Sequence, residues 1–120
     1  NNPILVVPGG IVVLARQPHP NFVADYYYGN AIALTNENDQ LALVCGGVTI
    51  DTVAWSATLP DGASWNLDPL HIDASDNDSA ANWCRAPVTD VADVDEGTPG
   101  DPNPPCPGSS DGRSGPGPTR

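Results

Sequence analysis

The sequence has no lysine and no methionine, and only 4 basic side chains stand against 15 acidic ones. Phosphate contacts need Lys and Arg, so a net charge of -11 argues against nucleic acid and against anionic membranes as partners. Long apolar runs are also missing. The longest, residues 11–15, falls far short of the ~20 residues that cross a bilayer, so membrane insertion is not expected. The sequence opens at Asn1 with no targeting segment, which is expected of a fragment or a processed product.

Cysteine is scarce. Cys45, Cys84 and Cys106 form no C-x-x-C, and with only His19 and His71 to assist they do not make a zinc site. One disulfide and one leftover thiol is the natural count. Cys45 and Cys84 each end an apolar run, whereas Cys106 lies among prolines, so the expected bridge is Cys45–Cys84. Cys106 is then free, or bonded to a cysteine outside these residues. The lack of lysine and the Asp, Asn, Gly and Pro content lean towards an extracellular or cell-surface location.

Helical periodicity is absent from every window, and short apolar runs alternate with Gly, Pro, Asn and Asp punctuation. Residues 11–16 are rich in β-branched side chains and read as a buried strand, and residues 24–28 as a short one. The clearest local signal is QLALVCGGVTIDTVAW (40–55), two apolar strands around the two-residue loop Gly46-Gly47. The apolar phase shifts between Ile50 and Val53, which predicts a bulge or burial on both faces. Residues 63–67 form another short strand, and Trp83-Cys84 an apolar island that packs. Turns at intervals of about ten residues predict an all-β chain, an antiparallel β-sandwich.

Catalytic constellations are wanting. Gly62-Ala63-Ser64-Trp65-Asn66 lacks the last glycine of a nucleophile elbow, and there is no phosphate loop and no His-Glu-x-x-His. His71 beside Asp68 and Asp73 reads as a solvated loop, so no enzyme activity and no cofactor are expected. Asp73, Asp76 and Asp78, with Asn77, could supply oxygen ligands to calcium; the competing reading is an Asx-rich turn whose side chains bond their own backbone. Asn77-Asp78-Ser79 is also a glycosylation sequon. Trp55, Trp65 and Trp83 could form a sugar-binding platform, as could Tyr26-Tyr27-Tyr28, although a small sandwich usually buries its tryptophans. Three tyrosines in a row alternate faces in a strand, so at least one is exposed.

Six pieces recur in order: PGGIVVLAR (8–16), TNENDQLALVC (35–45), GVTIDTVAW (47–55), LPDGASWNLDP (59–69), ANWC (81–84) and GTPGDPN (97–103). Together they resemble the lamin-tail domain in its bacterial, secreted form, over most of residues 4–103. The resemblance implies an immunoglobulin-like antiparallel β-sandwich, incomplete at the N-terminus because strands that precede the Pro-Gly-Gly strand in the family have no counterpart. Residues 11–14, Leu41 and Leu43 are then the ones left uncovered. It also implies a domain at 1–103 followed by a Pro/Gly-rich disordered linker or tail at 104–120; residues 97–120 hold 7 of the 14 prolines and 6 of the 12 glycines.

The function expected from these readings is a non-catalytic structural or protein-interaction module of a larger secreted or cell-surface protein. Its partners would be other domains of that protein, or other proteins. The alternative is a carbohydrate- or calcium-dependent adhesion module.

Overall fold

A computed structural model describes residues 3–19, 21–56, 58, 61–86 and 96–109. Strands and turns make up the described chain, with one 3-10 turn at Ala80–Asn82. The strands are β1 (Leu14–Ala15), β2 (Tyr26–Tyr27), β3 (Asp39–Cys45), β4 (Val48–Trp55), β5 (Trp65–Leu67) and β6 (Trp83–Arg85). They pair as β1–β2, β3–β4 and β5–β6. The class is therefore all-β, built from small two-stranded sheets.

The β3–β4 hairpin is the longest element, and its turn chemistry explains it. Gly46 (φ 58°) and Gly47 (φ 81°) both sit in the left-handed region that a two-residue hairpin loop needs. A side chain there costs about 1–2 kcal/mol per residue. Gly47→Val is thus expected to lower stability by about 1–2 kcal/mol in denaturant titration, and an unchanged midpoint would remove the turn as the cause of the hairpin. The ladder runs from Asp39↔Trp55 to Cys45↔Val48 and slips between Leu43 and Val44, whose partners are Asp51 and Thr49. Ile50 is the extra residue, so the expected bulge lies at the first of the two positions where the apolar phase changes.

β1 and β2 run parallel, with Leu14 opposite Tyr26 and Ala15 opposite Tyr27. This departs from the all-antiparallel expectation. The Asp25 carboxylate ties the start of β2 to the residue before β1 by accepting from the Val13 N–H at 2.8 Å. Only two residues of each expected longer strand pair in this way. Tyr26 and Tyr27 are both exposed, as the alternation argument requires of at least one.

β5 is flanked on both sides. β6 pairs with it antiparallel, Asn66 opposite Cys84. Just before β5, Ala63 bridges Glu96 in parallel: Ser64 N–H donates to the Glu96 carbonyl and Glu96 N–H to the Gly62 carbonyl, each at 2.8 Å. Gly97 then passes so close that a Cβ there would stand 3.1 Å from Ser64 Oγ. EGTPGDPN (96–103) is therefore folded chain and not linker, at its start against Ser64 and at its end through Asn103 Nδ2, which donates to the Leu67 carbonyl at 2.8 Å.

Among the described residues the only buried apolar side chains are Ala24 and Ala86, while Asn66, Asp68 and Asn77 are buried too. The faces of β3 and β4 stay open, with Leu43 at 64% and Ile50 at 55% exposed. Ile11, Leu14 and Leu41 are exposed as well while Val12 and Val13 are half-buried, so the buried strand expected over residues 11–16 is corrected. Hydrogen bonds and a covalent bridge, more than apolar burial, hold the β5–β6 region together.

Candidate functional site

That bridge joins Cys84 to Cys106, with Cα atoms 5.9 Å apart, and leaves Cys45 free and exposed. The expected Cys45–Cys84 pairing is corrected. Cys45 ends β3 at the hairpin tip, whereas β6 holds Cys84 opposite Asn66, and Asn66 gathers the C-terminal arm. Its Nδ2 donates to the Pro104 carbonyl at 3.1 Å and lies within contact of both bridged sulfurs. The expected boundary at 103/104 is corrected with it. Pro104 and Cys106 are anchored to β5, and the arm is described as far as Ser109; residues 110–120 lie outside the described residues.

Asp68 completes the anchor. It is 2% exposed, and its carboxylate accepts the N–H of Leu70 at 2.9 Å and of Cys106 at 3.1 Å. Burial alone would raise its pKa. The Leu70 N–H, the nearby Ser109 hydroxyl, the Cys106 N–H and the charge of His71 pull the other way and prevail, so the group titrates below its ordinary 3.8. The Ser109 hydroxyl is buried and approaches without reaching hydrogen-bonding geometry. The solvated loop expected around His71 is corrected at Asp68, which is buried, and no sequence motif marks Asn66. The signal that was there is their alternation about Leu67 in WNLDP, which places two short polar side chains on the same face of a strand.

The three aspartates proposed for calcium go separate ways. The Asp73 carbonyl accepts from the N–H of Asp76 and Asn77; the Asp76 carboxylate lies 3.8 Å from His71 Nδ1; Asp78 points to a different surface, a cavity wall described below. Among the described residues no group of three or more His, Cys, Asp or Glu side chains is placed to hold a metal ion. The stretch forms turns, but they are closed by backbone–backbone bonds and not by its Asx side chains. The sequon asparagine, Asn77, is 8% exposed and donates from Nδ2 to the Asp51 carboxylate at 2.6 Å, so glycan attachment to the folded chain is blocked.

What the structure does bring together is the tryptophans. Trp55 at the end of β4, Trp65 at the start of β5 and Trp83 at the start of β6 line one cavity of about 450 Å³ between the two antiparallel hairpins. Leu34, Leu41 and Val53 add apolar wall, and Asn77 and Asp78 add polar groups. Trp55 Nε1 donates to the Thr35 carbonyl at 2.9 Å and Trp83 Nε1 to the Asn77 carbonyl at 2.8 Å. Those bonds fix two indoles by their polar edges. Trp65 is 38% exposed, and it also lines a second cavity, of about 510 Å³, with His19, Phe22 and Glu96. The core placement expected of these tryptophans is thus corrected: they are half-buried or exposed around an open cavity. The ring pair found among the described residues is His19 on Phe22, centroids 4.7 Å apart, and no indole is stacked on another ring there.

No protein-family model, curated protein or solved structure matches this chain. Among the described residues no helix is long and apolar enough to cross a membrane.

Proposed function

We propose that the chain is a non-catalytic protein-interaction module of the lamin-tail type, an immunoglobulin-like sandwich serving a larger secreted or cell-surface protein, and that it engages its partner through the tryptophan cavity. One observation carries this reading: three indoles from three strands converge on a single open cavity, two of them locked by their N–H groups. Tryptophans in a desolvated pocket are where interfaces concentrate their binding energy. The six ordered sequence pieces support the family, and the disulfide supports an oxidising compartment.

The test is selection of peptides from a displayed library on the full chain, beside a panel of neutral oligosaccharides. Trp65→Ala is the diagnostic variant, because an exposed side chain at the cavity can be removed at little cost to folding. Selected peptides should lose affinity by roughly thirtyfold or more on Trp65→Ala, with the melting transition preserved. Glycan binding without peptide binding would replace this reading with the adhesion alternative, and peptide binding indifferent to Trp65 would move the site elsewhere.

A further inference from the structure

The tryptophan cavity is chemically one-sided. Its apolar wall is aromatic and aliphatic, and none of its lining residues is cationic. Ser56 and Thr58 add hydroxyls, and the one charged member is the carboxylate of Asp78. Asn77 commits Nδ2 to Asp51, and its Oδ1 is buried with no donor opposite. The Asp78 carboxylate is exposed and forms no ion pair among the described residues. The positive groups of the described chain are used elsewhere: Arg16 donates to Asn30 at 2.9 Å, and Arg85 pairs with Glu96 at 2.7 Å. The whole chain carries -11.

An occupant therefore needs an apolar or planar body for the indoles, N–H donors for Asp78, and positive charge. Indole faces attract cations through the ring quadrupole, and guanidinium suits them best because it is planar, weakly hydrated and rich in donors. Building on the interaction-module reading, we propose that the cavity between the β3–β4 and β5–β6 hairpins receives an arginine side chain from the partner protein. The three tryptophans embrace the guanidinium, and the exposed Asp78 carboxylate accepts its N–H groups. A saccharide fits less well. Its hydroxyls need donors as well as acceptors, and with the indole N–H groups of Trp55 and Trp83 spent inside the chain only Ser56, Thr58 and Trp65 are left to donate.

The experiment uses the full oxidised chain and three capped pentapeptides, with arginine, its neutral isostere citrulline, or lysine at the centre of otherwise identical glycine flanks. Binding is read from the indole N–H resonances of Trp55, Trp65 and Trp83. The arginine peptide should bind roughly tenfold tighter than the citrulline peptide, with lysine between them. Raising the salt from low to near-molar should narrow the gap. Asp78→Asn, a substitution at an exposed side chain, should cut the arginine preference roughly threefold or more while leaving the melting transition in place. Equal binding of arginine and citrulline peptides, or a preference untouched by Asp78→Asn, overturns the arginine assignment and leaves the interaction module standing. Indoles that respond to none of the peptides but to neutral oligosaccharides overturn both.

Discussion

Replacing Cys106 with serine is expected to lower the melting temperature by roughly 12–25 °C, whereas Cys45→Ser should leave it nearly unchanged. The bridge closes a loop with a sequence separation of 22 residues. In the loop-entropy account, opening a ring of this size costs about 3 kcal/mol. That is a large share of the margin for a chain whose buried apolar side chains, among the described residues, are two alanines. The loss is not only entropic. Cys106 also donates its N–H to Asp68, and Asn66 holds Pro104, so the whole arm is released together. Reductant should reproduce the effect in the wild-type chain and add nothing to Cys106→Ser. Non-reducing peptide mapping that links Cys45 to Cys84, or a melting temperature indifferent to Cys106→Ser, would defeat the assignment.

Asp68→Ala should cost on the order of 3 kcal/mol, because two backbone donors lose a charged acceptor at once. The pH dependence follows from the direction of its shift. The folded-state pKa lies below the ordinary carboxylate value of 3.8, so the stabilisation is fully present above the unfolded pKa and is lost as pH falls through the folded one. Wild type and Asp68→Asn should therefore differ by a constant amount from neutral pH down to about 5, then converge as the medium falls well below about 4. Urea midpoints measured across that range decide it. A difference as large at pH 2 as at pH 7 would mean that the ionised carboxylate is not what the Leu70 and Cys106 amides recognise.

Much of the strand content was legible because it is local. In QLALVCGGVTIDTVAW the paired glycines and the shift of apolar phase between Ile50 and Val53 lie within a few residues of what they cause, the loop and the bulge of the β3–β4 hairpin, whereas the alternation in β3 is not matched by burial. The parallel pairing of β1 with β2 is not legible, since only two residues of each strand pair and nothing in their spacing sets the direction. The cysteine pairing failed for a different reason. The apolarity of a cysteine's neighbours tracks burial in a core, but this region is held by Asn66, Asp68 and Asn103 bonding backbone groups of distant segments. Proline-rich surroundings made Cys106 look like tail, although the same prolines only shape the path that Asn66 and Asp68 secure. The tryptophans were recognised as candidates, but their convergence needs three strands placed relative to one another, which spacing along the chain does not encode.

The Cys84–Cys106 link also alters what a break in the backbone means. It makes residues 84–106 a covalent ring, so a single scission anywhere inside it severs the chain without dividing it. Of the 4 basic residues only Arg85 lies within the ring; Arg16 stands before it, and Arg113 and Arg120 after it. A trypsin-like protease that cuts after Arg85 therefore leaves Trp83 and Asn103 on separate polypeptides that still travel as one molecule, sharing β5 as their common support. Only reduction sets them apart, so in an oxidising setting the nicked protein keeps the connections that its sequence has lost.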